Sequence, residues 1–169
     1  MKNKIVPILA AIASIFIFGG CEKDDICTDA VTPSLIIKFY DDTSLSDIKT
    51  VTELRVYGVG NEDEMIIDRV SNLDSILVPL KTLENTTSFV LISNSGDDDT
   101  TGEEVGNIDT ISFNYVTNEI YVSRACGYKV NYSQLSSTIT DDGDNWITSI
   151  SIENNEVVDE NQAHVSIYH

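Results

Sequence analysis

Three kinds of residue in this sequence are suited to chemistry: cysteines, histidines and clustered acids. Cys21 and Cys27 lie six positions apart in "FGGCEKDDIC", and Cys126 stands far along the chain. As a metal pair, Cys21 and Cys27 lack a matching second half, so no metal is expected there. His164 and His169 are the only histidines. Five positions apart on a strand, they point to opposite faces and do not share a metal. Nucleophilic hydrolysis needs a nucleophile, a base and an orienting group in contact. Serines abound and His164 can serve as a base, yet no G-x-S-x-G elbow places them. The reading is a protein that is not an enzyme and carries no cofactor; the alternative is a hydrolase that uses His164. "YGVGNED" (57–63) has Gly58 and Gly60, but neither the third glycine nor the following helix of a phosphate-binding loop.

The acids of "SGDDDTTGEE" (95–104) invite a calcium reading. With Asp97 as the first ligand of an EF-hand loop, Asp99 falls third and Gly102 sixth, as required. Thr101 then falls fifth and Ile108 twelfth, where a bidentate glutamate belongs, and no helices flank the run. That leaves a looser oxygen site among Asp97, Asp98, Asp99, Glu103 and Glu104, set against the simpler reading of a solvated hairpin tip. "TDDGDN" (140–145) reads as a turn, because Asp-Gly suits a positive φ.

The elements that would carry these residues are strands. "SLIIKFY" (34–40), "TELRVYGV" (52–59), "EMIIDRV" (64–70), "DSILVPL" (74–80), "TSFVLIS" (87–93), "DTISFNYV" (109–116), "NEIYVSRA" (118–125), "GYKVNYSQL" (127–135), "WITSISIE" (146–153) and "AHVSIYH" (163–169) alternate with period two or are rich in β-branched residues. No window keeps the spacing of an amphipathic helix. "TSFVLIS" is apolar on both faces and belongs in the middle of a sheet. Pro79 puts its strand at an edge, and a tight turn is expected near Thr117-Asn118. The fold class is all-β, a two-sheet antiparallel sandwich, with a small barrel as the alternative.

The leader adds an address. Met1 to Lys4 carry two positive charges, and Ile5 to Phe18 carry none. That is the layout of a secretory signal, shorter than the roughly 20 apolar residues of a membrane span. Gly19-Gly20-Cys21 resembles the lipobox of bacterial lipoproteins, with Phe18 where leucine is more usual. The resemblance implies removal of residues 1–20 and a diacylglyceryl thioether on Cys21. Each buried acyl methylene contributes about 0.8 kcal/mol, so several chains give a lasting membrane anchor. Lys23-Asp24-Asp25 is similar to the lysine-plus-two-acids export signal of Bacteroidota-type lipoproteins, which implies the cell surface of the outer membrane; a periplasm-facing anchor is the alternative. Residues 21–32 would form a lipidated tether and 33–169 a single domain.

Composition limits the partners. The chain has 10 basic and 28 acidic residues, and the leader takes Lys2 and Lys4 with no acid, leaving 8 against 28, a net −20. Such a field disfavours nucleic acid and anionic headgroups. With Cys21 lipidated, Cys27 and Cys126 remain, an even number in an oxidising compartment, which points to a disulfide. Two separate thiols are the alternative. A bridge would close a loop of about 100 residues and stabilise by at most about 4–5 kcal/mol in the chain-entropy model. Exposed members of the seven tyrosines could stack on a glycan or anchor an envelope protein, though β-propensity explains most of them. Asp74-Ser75-Ile76, Asp99-Thr100-Thr101 and Asp109-Thr110-Ile111 resemble acid-hydroxyl-apolar O-glycosylation triplets.

Cys27 to Pro33 ("CTDAVTP"), Ser123 to Tyr128 ("SRACGY") and the closing "HVSIYH" together resemble a family of small Bacteroidota cell-envelope lipoproteins, a domain of unknown function. The resemblance implies an envelope lipoprotein with paired cysteines at positions 27 and 126, and supplies no catalytic residues. The expected role is a binding or structural accessory module held on the outer membrane by its lipid.

Overall fold

A computed structural model describes residues 27, 28 and 31–169; the leader, the lipobox cysteine Cys21 and the export signal Lys23, Asp24 and Asp25 lie outside the described residues. Among the described residues there are nine strands and no helix. In chain order they are β1 (Leu35–Tyr40), β2 (Leu54–Gly58), β3 (Asn61–Val70), β4 (Ser75–Val78), β5 (Thr86–Ser93), β6 (Asn107–Ser123), β7 (Gly127–Ile139), β8 (Ser149–Ile152) and β9 (Val165–Tyr168). They form a four-stranded sheet ordered β4-β1-β9-β8 and a five-stranded sheet ordered β3-β2-β5-β6-β7. Both sheets are open, so the architecture is the sandwich and not the barrel.

The core is built by alternation. Leu35, Ile37 and Phe39 of β1 are fully buried, as are Val165 and Ile167 of β9; facing them are Leu54 and Val56 of β2, Leu91 of β5, and Ile111 and Phe113 of β6. Side chains at i and i+2 share a face, so one register fixes the whole apolar set. β5 lies in the middle of its sheet, between β2 and β6. β4 is an edge strand and Pro79 follows it directly, as suits a residue with no amide hydrogen to give to a ladder.

Two features depart from the sequence reading. Pairing is antiparallel throughout except between β1 and β9, which run parallel from Ile37↔Val165 to Tyr40↔Tyr168. The last strand thus inserts beside the first, a long-range choice that local periodicity does not encode. The segments 109–116 and 118–125, expected as two strands, are one strand of 17 residues, β6. Thr117 pairs with Tyr132 and Asn118 with Asn131 in mid-ladder, so the turn expected there does not exist. This half of β6 runs beyond β5 and its own side chains are mostly exposed, so a polar pair is tolerated there and imitates a turn.

Candidate functional site

β5 starts at Thr86, opposite Asn114 of β6. From Val116 to Ser123, β6 pairs with β7 alone. The two strands thus continue as an arm beyond β5, bridged on the outer edge of β7 only at Tyr132↔Val157. At its root the register shifts between Asn114 and Val116, because β7 inserts an extra residue around Gln134, whose φ is 56°. A bulge of this kind bends and twists the ribbon.

Four tyrosines mark the arm's two ends. At the root, Tyr115 and Tyr132 are buried edge to face, with ring centroids 5.0 Å apart. The Tyr132 hydroxyl donates to the Leu80 carbonyl at 3.0 Å, and that of Tyr115 to the Lys81 carbonyl at 3.0 Å. Thr87 Oγ1 lies 2.5 Å from the Tyr115 hydroxyl. Desolvation pushes the Tyr132 hydroxyl up to about 12, with the neighbouring Tyr115 adding to the shift; burial likewise raises Tyr115. Both remain protonated donors at neutral pH. At the far end, Tyr121 and Tyr128 face each other across the ladder, with centroids 5.4 Å apart. They are 55% and 68% exposed. Tyr128 shares the face of Val130 and Tyr132, which are buried in the core, but is itself exposed.

The arm's tip is where the cysteines meet. Cys126 is disulfide-bonded to Cys27, with Cα atoms 4.9 Å apart, and its amide donates to Ser123 Oγ at 3.1 Å. The Val130 amide donates to Thr32 Oγ1 at 3.0 Å. Cys27 is therefore tied to the turn between β6 and β7, and Thr32 to β7, inside the stretch 21–32 expected to be a lipidated tether. Beside the bond lies a depression of about 250 Å³ lined by Val31, Thr32, Val122, Tyr128 and Lys129. A second cleft, about 290 Å³, opens at the same end of the sandwich, between Val59, Met65 and Ile66 on one side and Pro79, Lys81 and Phe89 on the other. Of the glycines of "YGVGNED", Gly58 lines this cleft, and Gly60, with φ 82°, turns β2 into β3 and holds no phosphate loop.

The acidic run 95–104, between β5 and β6, has internal partners. The bulge in β3 places Arg69 at φ 52°, and its guanidinium makes a two-pronged contact with the Asp97 carboxylate. Glu104 accepts from Arg55 Nη1 at 2.9 Å, Ser95 Oγ at 2.8 Å, and the Gly96 and Gly106 amides at 2.8 and 3.0 Å. Desolvation pushes the Glu104 carboxyl up, but the two amides, the serine and Arg55 together outweigh it and hold it below its ordinary value. Asp98 accepts from the Thr100 and Thr101 amides, each at 2.8 Å, and so closes its own turn. Gly106 has to be glycine: a Cβ there would lie 2.5 Å from Ile92 Cγ2 and 2.7 Å from the Ser93 carbonyl oxygen. Among the described residues, no group of three or more His, Cys, Asp or Glu side chains is arranged to hold a metal ion.

The histidines flank β9 and have different surroundings. His164 is 1% exposed; its Nδ1 accepts from the Ile36 amide at 3.1 Å, and its own amide donates to the Ile36 carbonyl at 3.0 Å. The ring therefore takes the place of a ladder carbonyl where β1 and β9 join. His169 packs edge-on to Trp146 and Phe39, with centroids 5.3 and 6.1 Å away. Burial lowers the pKa of both rings. Of the hydroxyl triplets, Thr100 is exposed on the acidic loop, whereas Ser75 and Thr110 sit half-buried in β4 and β6.

Three functional-looking contacts escaped the sequence. Arg55 and Arg69 partner the acidic run from 49 and 28 positions away. Asp109, fully buried in β6, accepts from the Ile147 amide at 2.8 Å and Asn145 Nδ2 at 3.0 Å, and so clamps the segment leading into β8. Desolvation raises its pKa against those hydrogen bonds.

These features define an all-β domain with a disulfide-tied hairpin arm. The chain belongs to a family of unknown function (DUF6452), whose model matches residues 53–169. No curated protein and no solved structure matches it.

Proposed function

We propose that the protein is a lipid-anchored outer-membrane lipoprotein of the Bacteroidota type, in which the sandwich is a binding or structural accessory module without catalytic activity. The observation that carries this reading is the pairing of Cys27 with Cys126. It uses two of the three cysteines and leaves the one that follows "FGG", so Cys21 is the residue for the diacylglyceryl group. Lys23, Asp24 and Asp25 then route the protein to the cell surface. The partner is an envelope protein or a glycan, for which the 290 Å³ cleft between β2–β3 and Pro79 to Phe89 is the candidate seat. The net charge argues against nucleic acid. Cell fractionation tests the anchor: wild type should sediment with the outer membrane and Cys21→Ser should not. A Cys21→Ser protein that still sediments with the membrane overturns the anchor. Protease added to intact cells should degrade the domain if it is surface-exposed; protection would place it on the periplasmic side.

A further inference from the structure

We infer that the tip of the β6–β7 arm is a second, non-covalent membrane contact: an aromatic foot in which Tyr121 and Tyr128 enter the headgroup region of the lipid surface. The inference rests on the lipid anchor proposed above. Its first ground is chain length. Cys27 is bonded to the tip residue Cys126, and Cys21 precedes Cys27 by six residues. A chain of that length spans at most about 20 Å. A lipid on Cys21 therefore keeps the tip within about that distance of the membrane, whatever path the intervening residues take.

The second ground is the chemistry of the tip. Tyr121 and Tyr128 are 55% and 68% exposed, and Val31 beside them is 74% exposed. Their rings pack on each other rather than into the core. Tyrosine, with an apolar ring and a polar hydroxyl, is enriched at membrane–water interfaces. The two root tyrosines, by contrast, are buried with their hydroxyls bonded to carbonyls.

The third ground is charge. In a chain with 28 acids, residues 120–140 contain none, the longest acid-free stretch after the leader. They do contain Arg124, exposed at the tip, and Lys129. Arg124 and Lys129 thus give the aromatic tip donors for lipid phosphates, beside the acids Asp24, Asp25 and Asp29 that neighbour Cys27 in the sequence.

Hydroxyl-radical footprinting read by peptide mass spectrometry tests this. The lipidated protein is reconstituted on vesicles of phosphatidylethanolamine with a minor share of phosphatidylglycerol. It is compared with leaderless Cys21→Ser protein in solution with the same vesicles. On the membrane, oxidation of Tyr121 and Tyr128 should fall several-fold, while Tyr40 and Tyr168 at the other end of the sandwich keep their rates. Unchanged rates at Tyr121 and Tyr128 in a protein whose mass shows lipid on Cys21 overturn the foot and leave the anchor standing. Absence of lipid from Cys21 overturns both. Protection that appears without vesicles and rises with protein concentration overturns the foot in favour of a second copy. As a control on the chemistry, Tyr121→Ser with Tyr128→Ser should leave the lipid in place and let Arg124-containing peptides regain their solution reactivity.

Discussion

The acidic loop and the aromatic arm lie at the two ends of β6, and each is the reverse of what its composition suggests. The loop concentrates charge and looks made to bind a cation. Yet Asp97 and Glu104 are held by Arg69 and Arg55, and Asp98 closes its own turn. The arm looks like two ordinary strands, yet it runs past β5 and ends in two tyrosines that stay more than half exposed. The lesson is that local composition reports which groups are present, whereas function depends on which groups the fold leaves without partners. Three of the loop's five acids, Asp97, Asp98 and Glu104, find theirs inside the molecule. The rings at the arm's tip find only each other.

The largest effect should come from the tie between arm and tether. Replacing Cys27 and Cys126 with alanine should destabilise the domain by about 3 kcal/mol, below the full chain-entropy figure because the freed segment before β1 regains motion in the folded state. A urea midpoint unchanged from wild type would show that the bond holds only a frayed end. Next comes the loop. Glu104→Ala strands two amides, a serine hydroxyl and Arg55, and should lower stability by about 1–2 kcal/mol, moderated by solvent screening. Adding calcium should not shift the melting temperature of the wild type, since Asp97, Asp98 and Glu104 are already engaged; a calcium-dependent rise would restore the loop as a cation site.

A smaller effect should follow pH. Burial lowers the pKa of His164 and His169 in the folded state. The unfolded chain then binds more protons below the ordinary histidine value of about 6.5. Stability should therefore be full above that value and fall as the pH drops through the lowered folded-state values. Comparing urea midpoints at about pH 7.5 and about pH 5.5 reads this out. His164→Asn, which can keep an acceptor for the Ile36 amide, should weaken the dependence, and an unaltered dependence would remove His164 from the explanation. The smallest effect belongs to the arm's tip. Tyr121→Ser with Tyr128→Ser should change folding stability by less than about 0.5 kcal/mol, because the rings support no core. A larger loss would mean that they serve the fold and need no external surface.

Much of this architecture was legible in the sequence. Alternation in "SLIIKFY" and "AHVSIYH" marks β1 and β9, the doubly apolar "TSFVLIS" marks the central β5, and Pro79 marks an edge. The pairing of Cys27 with Cys126 followed from parity and compartment. What stayed hidden depends on partners far away in the chain. Nothing local tells that β9 runs parallel to β1, that Arg55 and Arg69 reach the acidic run, or that Asp109 clamps the segment before β8. The continuous β6 is hidden for a related reason: its far half is mostly exposed and carries polar residues, so its middle reads as a turn. The same absence of cover is what singles the arm out as a candidate surface.

The two-ended picture turns on how the three cysteines are used, and one non-reducing peptide map of the membrane-extracted protein reads all of them. A peptide containing Cys27 joined to one containing Cys126, together with an amino-terminal Cys21 peptide carrying the mass of acyl chains, is the expected result. An unmodified Cys21, or a bond between Cys21 and either of the others, would contradict it.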